Sequence, residues 1–160
     1  MYLISKILKD HGFRHEFHIF DSFEGRLSEK GPKDRNERYQ QTQEEILREK
    51  MIFASTEEQV RETLAGFDFV KLYKGWIPGR FAEVQDRSFV FVHLDVDLYQ
   101  PTLDSLEFFY PRLIEGGVIV VDDYGYTQFP GASRAVDEFL RKNTYRMFYE
   151  PPLGSCFIIK

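Results

Sequence analysis

Apolar positions along this chain follow two spacings, and they divide it into helices and strands. Leu3, Ile4, Ile7 and Leu8 recur at helical spacing before His11-Gly12, which predicts a helix over Tyr2 to Asp10. Phe17-His18-Ile19-Phe20 reads as a strand ending at Asp21, and Phe67 to Tyr73 as another, closed by Gly75-Trp76 and Pro78-Gly79. Two runs are continuously apolar and both end in acid: Phe89 to Leu94 leads into Asp95-Val96-Asp97, and Gly117 to Val121 leads into Asp122-Asp123. Such runs suit strands covered on both faces, as in a parallel sheet. Between them, Pro101 and Thr102 open a helix whose Leu103, Leu106, Phe109 and Leu113 face the core, and Glu115-Gly116-Gly117 turns the chain. Ala132 to Arg141 predicts a further helix carrying Ala135, Val136, Phe139 and Leu140. Tyr145 to Glu150 and Ser155 to Ile159 predict an antiparallel strand pair joined through Pro151-Pro152-Leu153-Gly154. Strands alternating with helices mean an α/β fold with a mostly parallel sheet.

Residues 26–66 break this pattern with charged and amide side chains, Gly31-Pro32 at the start and a helical stretch from Glu44 to Lys50. The segment is either a solvated face or a lid over a substrate. At 160 residues the chain has length for one domain, so residues 1–160 are expected to form a single domain carrying 26–66 as a charged insertion.

Charge and composition narrow the partners. Lys and Arg number 21 against 26 Asp and Glu, a net charge of -5, which provides no broad basic field for nucleic acid. Cys156 is the only cysteine, so an internal disulfide and a cysteine zinc site are both excluded, and its apolar neighbours mark it as a buried structural thiol. Lysines interrupt the first apolar stretch, unlike the core of a signal peptide, and no segment reaches the roughly 20 apolar residues of a membrane span. A cytoplasmic protein with neither a membrane nor a nucleic-acid partner is expected.

The candidate chemistry lies in the acids. In parallel sheets, ligands gather at the carboxyl ends of the strands. Asp95, Asp97, Asp122 and Asp123 are therefore expected to meet in one cleft, where they repel unless a cation or protons neutralise them. Oxygen donors without nearby cysteine favour Mg²⁺, Ca²⁺ or Mn²⁺ over zinc. A turn or helix cap is the alternative for any one of these residues. His93 alternates with Asp95 and reads as a supporting or core histidine rather than a ligand. Asp-x-Asp alone also occurs in metal-dependent glycosyltransferases and in haloacid-dehalogenase-like phosphatases. Tyr99 two residues after Asp97, and a single intervening helix, argue against the phosphatase pattern.

Five stretches, in order, resemble the macrocin O-methyltransferase family: Asp21-Ser22-Phe23-Glu24-Gly25, Lys74-Gly75-Trp76, Leu94-Asp95-Val96-Asp97-Leu98-Tyr99, Tyr110-Pro111-Arg112-Leu113, and Gly116 to Gly125. The resemblance runs from about Ile4 to the C-terminus. It implies a Rossmann-like class I methyltransferase, a three-layer sandwich with an antiparallel C-terminal strand pair, which methylates hydroxyls on sugars of natural products with S-adenosylmethionine and Mg²⁺. By the same resemblance Asp95, Asp122 and Asp123 bind Mg²⁺, with Asp95 also the base. Asp21 accepts from the cofactor ribose, Ser22 and Phe23 line the adenosine, and Gly75 and Trp76 lie near the adenine. The partner so implied is a small-molecule hydroxyl acceptor.

In class I methyltransferases a first strand and a glycine-rich turn hold the methionine end of the cofactor, and that strand forms the middle of the sheet. This chain begins at the helix that should follow the turn, so the resemblance implies an N-terminally truncated sheet. Three roles are consistent with that expectation: a minimal enzyme, a remnant that folds as a homo-oligomer, or a noncatalytic binding module that keeps the acidic cleft. A metal-dependent glycosyltransferase is the further enzyme alternative.

Overall fold

Residues 1–25, 30–35, 42, 44, 45, 48, 55–152 and 154–160 are described by a computed structural model. Most of the helical stretch expected from Glu44 to Lys50, and much of the charged insertion, lies outside the described residues. The described chain forms two units: residues 1–26 with 43–82, and residues 27–42 with 83–160.

The first unit contains helix α1 (Tyr2–Asp10), strand β1 (Phe17–Asp21), helix α2 (Glu57–Leu64) and strand β2 (Val70–Lys74). β1 and β2 pair in parallel, from Phe17 opposite Val70 to Asp21 opposite Lys74. Both expected strands and the first helix are present. The apolar stripe of α1 is split, with Ile4 and Leu8 half-buried while Leu3 and Ile7 face outward. α2 was not anticipated, yet its start is written locally. Thr56 Oγ1 accepts from Gln59 N at 3.2 Å and Gln59 Oε1 accepts from Thr56 N at 2.9 Å, a reciprocal cap that satisfies two otherwise orphaned donors. Aromatic side chains fill the unit: Phe20 stacks on Tyr73 with ring centroids 4.8 Å apart and meets Phe81 edge-on at 5.8 Å.

The second unit begins with a 3₁₀ turn at Pro32–Asp34 and continues through strand β3 (Phe89–Leu94), helix α3 (Tyr99–Arg112), strand β4 (Leu113–Asp122), helix α4 (Pro130–Lys142) and strands β5 (Met147–Tyr149) and β6 (Ser155–Ile159). Its sheet has the order β3-β4-β6-β5. β3 and β4 are parallel, while β6 runs antiparallel to both β4 and β5. The parallel acid-ending strands and the antiparallel terminal pair thus match the sequence pattern. Among the described residues β1 has β2 as its one strand partner, and β3 has β4.

One local expectation needs correction. Glu115-Gly116-Gly117 does not turn the chain between elements; it lies within β4, where the register jumps from Phe89 opposite Leu113 to Phe91 opposite Val118. The extra residues form a bulge because Lys160 closes it from the other end of the chain. Lys160 O accepts from Gly116 N at 3.0 Å, and Lys160 N donates to Gly117 O at 3.1 Å. Leu113 accordingly opens the strand rather than closing the helix.

α3 and α4 pack on each other and place Leu106, Ala132, Ala135 and Val136 in a core shared with Ile119, Val121 and Ile158, all fully buried or nearly so. The alanines let the helices approach closely, and each large aliphatic side chain so buried contributes roughly 1.5–3 kcal/mol. Cys156 is fully buried on β6, as its apolar neighbours imply, and burial pushes its thiol up to about 12. Among the described residues, no helix is long and apolar enough to cross a membrane.

Candidate functional site

The parallel register of β3 and β4 produces the acidic site. His93 lies opposite Val120 and Leu94 opposite Val121, so the chain leaves both strands at the same level, with Asp95 next on one and Asp122-Asp123 on the other. One carboxylate oxygen each from Asp95, Asp97 and Asp123 lies within 4.8 Å of the others. Burial, then the charge of Asp122, raises the carboxyl of Asp95 above its ordinary range, with His93 opposing. Burial also raises Asp123, which shares a hydrogen bond with Asp97 and feels the charges of Asp95 and Asp122. Crowded carboxyls held this way resist ionisation unless a cation offsets their mutual repulsion.

Asp122 lies outside that group. It lies near enough to act electrostatically on Asp95 and Asp123, but its Oδ2 faces His93 Nε2 at 3.5 Å. The trio brought together is Asp95, Asp97 and Asp123. An all-oxygen donor set suits Mg²⁺ or Mn²⁺.

The backbone around these acids is unusual. Asp97 has φ 59° and Asp123 has φ 64°, in the left-handed region that non-glycine residues rarely enter. Leu98 N donates to Val96 O at 2.5 Å across Asp97, a positive-φ γ-turn of the strained kind. Groups that sequence reasoning did not identify hold the second loop: Tyr124 Oη donates to Asp137 Oδ1 at 2.9 Å and Gly125 N donates to Ser133 Oγ at 2.8 Å. Burial, with the Asp137 bond, pushes the Tyr124 phenol far above its usual range. Asp137 and Ser133 lie one turn apart on α4, a spacing that would have flagged them only with the pairing of α4 and this loop known.

The five residues expected to contact the adenosine lie at or just beyond the carboxyl ends of β1 and β2. Gly75 N donates to Asp21 O at 2.9 Å, joining the two strand ends. Asp21 Oδ1 accepts from Phe23 N at 2.7 Å, and Ser22 Oγ accepts from Glu24 N at 3.3 Å, which folds the Asp21-Ser22-Phe23 turn back on itself. Trp76 donates its indole N–H to Glu24 Oε1 at 2.9 Å and leaves 37% of its surface exposed. Glu24, not anticipated as a site residue, therefore orients the tryptophan. Gly75 has φ 136°, and a side chain there would meet Arg80 Cδ at 2.9 Å. A carboxylate at a strand end beside an accessible aromatic ring has the chemistry to accept from a ribose hydroxyl and to cover a base.

Comparisons with known proteins identify the family and the fold. The family model described as Macrocin-O-methyltransferase (TylF) matches residues 1–147. Demethyldecarbamoylnovobiocin O-methyltransferase of Streptomyces niveus is 31% identical over 101 residues, 61% of this chain and 38% of that protein. The 8-demethyl-8-(2,3-dimethoxy-alpha-L-rhamnosyl)-tetracenomycin-C 4'-O-methyltransferase of Streptomyces olivaceus is 34% identical over 77 residues, 46% of this chain and 30% of that protein. Among solved structures, the O-methyltransferase NovP superposes with a TM-score of 0.75 and 25% identity over 99% of this chain and 66% of its own. The calicheamicin methyltransferase CalS11 gives 0.73 and 19% over the same shares. The chain thus spans less than two-fifths of the length of these curated relatives and about two-thirds of the solved ones. Its α/β fold, with parallel pairing and an antiparallel C-terminal strand pair, is that of the class I methyltransferases.

Proposed function

Because the chain belongs to the macrocin O-methyltransferase family, we propose that it transfers a methyl group from S-adenosylmethionine to a hydroxyl on a sugar-bearing small molecule, with a divalent cation held at the acid cluster. The observation that carries this reading is the convergence of Asp95, Asp97 and Asp123 at the ends of two adjacent parallel strands. The sugar-bearing acceptor is suggested by the tetracenomycin relative, whose name specifies a rhamnosyl group.

S-adenosylmethionine supplies a methyl group already activated by its sulfonium. A divalent cation, when bound, would supply electrostatic stabilisation to the oxygen that loses its proton. The protein's own work is alignment and proton removal, with the reacting oxygen and carbon brought to roughly 3–3.5 Å. Asp95 is the base in this reading, taking the hydroxyl proton as the methyl group passes from sulfur to oxygen and S-adenosylhomocysteine departs. Asp95 and Asp123 would hold the cation, with Asp97 rather than Asp122 as the third donor because Asp97 belongs to the trio. Asp122 contributes charge and keeps His93 beside the cluster. On the other unit, Asp21 accepts from the ribose, Ser22 and Phe23 line the adenosine, and Gly75 and Trp76 lie against the adenine.

Transfer of labelled methyl from S-adenosylmethionine to a panel of glycosylated phenolic and polyketide acceptors tests the proposal. Mg²⁺-dependent label on a sugar hydroxyl, abolished by EDTA, is expected. Turnover unaffected by EDTA and by Asp95→Asn would remove the cation and base assignments.

A further inference from the structure

Helix α3 begins without a cap of its own. Its N-cap residue, Leu98, has no side-chain acceptor to offer, and the first turn contains no acid. A carboxylate from elsewhere in the chain takes the place. Asp34, in the 3₁₀ turn at the start of the charged segment, accepts from Tyr99 N at 2.6 Å through Oδ1 and from Gly31 N at 2.8 Å through Oδ2. Its surface is 8% exposed, so both oxygens are committed inside the protein. The neighbouring Lys33 bridges Tyr99 Oη and Glu138, and Arg134 donates to the Lys33 carbonyl, so α3 and α4 both grip this turn.

The position of the cap gives it significance. Tyr99 N is two residues beyond Asp97, whose φ of 59° is enclosed by the Val96–Leu98 γ-turn. Residues in such conformations are strained and persist only where surrounding contacts fix them. The Asp34–Tyr99 bond is such a contact, placed between the acid-bearing loop and the helix that follows. α4 is shaped around it: at Gly131 a Cβ would overlap Asp34 Oδ1 outright and would lie 2.6 Å from Tyr99 N.

We infer that Asp34 is a positioning residue that sets the placement of Asp95 and Asp97 for cation binding, by capping α3 from outside the helix, with Gly131 preserving the space it needs. This rests on the proposed role of the acid cluster. Asp34 touches neither cation nor substrate; it acts through the Tyr99 amide.

Titration of Mn²⁺ into the full chain, followed by electron paramagnetic resonance well below the melting temperature, tests it. Asp34→Ala is expected to weaken Mn²⁺ binding by about tenfold or more, in the range seen when outer partners of metal ligands are removed. Asp34→Asn, which keeps an acceptor for Tyr99 N, should recover part of that loss. Gly131→Ala, which displaces the carboxylate without removing it, should reproduce the alanine defect, whereas Lys33→Ala should stay within about twofold of the parent because it leaves the Tyr99 amide bonded. If Asp34→Ala does not fold, Asp34→Asn and Gly131→Ala decide between the outcomes. Parent-like Mn²⁺ affinity in folded Asp34 and Gly131 variants, even with lowered melting temperatures, would overturn the inference and leave the cluster's role standing. Failure of the parent chain to bind Mn²⁺ would overturn the cation site and this inference together.

Discussion

Replacing Asp95 by asparagine removes one negative charge from a group of carboxylate oxygens that lie within 4.8 Å of one another, at nearly constant volume. At that separation, two full charges repel by about 0.9 kcal/mol at the dielectric of water and by about 3.5 kcal/mol at an effective value of 20. Asp95 keeps contact with solvent, which draws the figure toward the lower end, so about 1 kcal/mol per variant is a fair magnitude. Asp95→Asn should therefore melt about 2–4 °C above the parent when no divalent ion is present. The pH dependence follows from the direction of the shift. A carboxyl whose folded pKa is raised contributes stability that is fully present below its unfolded value and is lost as pH rises through the folded one. The advantage of the variant should thus be present at neutral pH and vanish on acidification. With Mg²⁺ at about 100 times its dissociation constant the order should reverse, because binding adds about 2.7 kcal/mol, roughly 5–10 °C, to the parent alone. Differential scanning calorimetry with and without Mg²⁺ at several pH values measures both effects. A variant less stable than the parent without metal, or one with the same Mg²⁺ shift, would refute the argument that these carboxylates are held together for a cation.

Asp97→Asn should weaken Mg²⁺ binding more than Asp122→Asn does, because Asp97 belongs to the trio and Asp122 faces His93; isothermal titration of both variants checks the ligand set. Asp21→Ala should weaken S-adenosylhomocysteine binding by about 10–100-fold, the equivalent of a hydrogen bond to a charged group at about 1.5–3 kcal/mol, while Asp21→Asn should preserve the bond to Phe23 N and with it the local turn. Gly117→Ala should destabilise by about 1–3 kcal/mol, read as a lower urea midpoint, since its Cβ would meet Leu113 Cγ at 2.7 Å and Ile114 O at 2.9 Å. Cys156, buried and with its thiol held up to about 12, should react with a disulfide reagent at pH 8 only after unfolding, a contrast visible by absorbance with and without urea.

Features encoded by short-range pattern could be read directly from the sequence. The spacing of Leu3, Ile4, Ile7 and Leu8 delimits α1, and the apolar runs ending at Asp95 and Asp122 mark parallel neighbours that meet at their acid ends. Thr56 and Gln59 also carried a local signal, the capping box that starts α2 within an otherwise polar stretch. What could not be read depends on partners distant in sequence. Glu115-Gly116-Gly117 has the composition of a turn, and Lys160 at the far end of the chain makes it a bulge. Asp34 is one charge among many in its segment until it meets Tyr99, 65 residues on. That Asp97 would meet the other acids was legible from its place after a strand, but that it and not Asp122 joins Asp95 and Asp123 goes with a left-handed backbone that no spacing rule indicates.

Calorimetric titration of S-adenosylhomocysteine into the purified chain, with and without Mg²⁺, bears most directly on the proposed methyltransferase activity. Saturable binding in the micromolar range, about -8 kcal/mol, lost on Asp21→Ala, is the predicted result. No heat of binding, together with an unchanged melting temperature at millimolar ligand, would contradict the proposal.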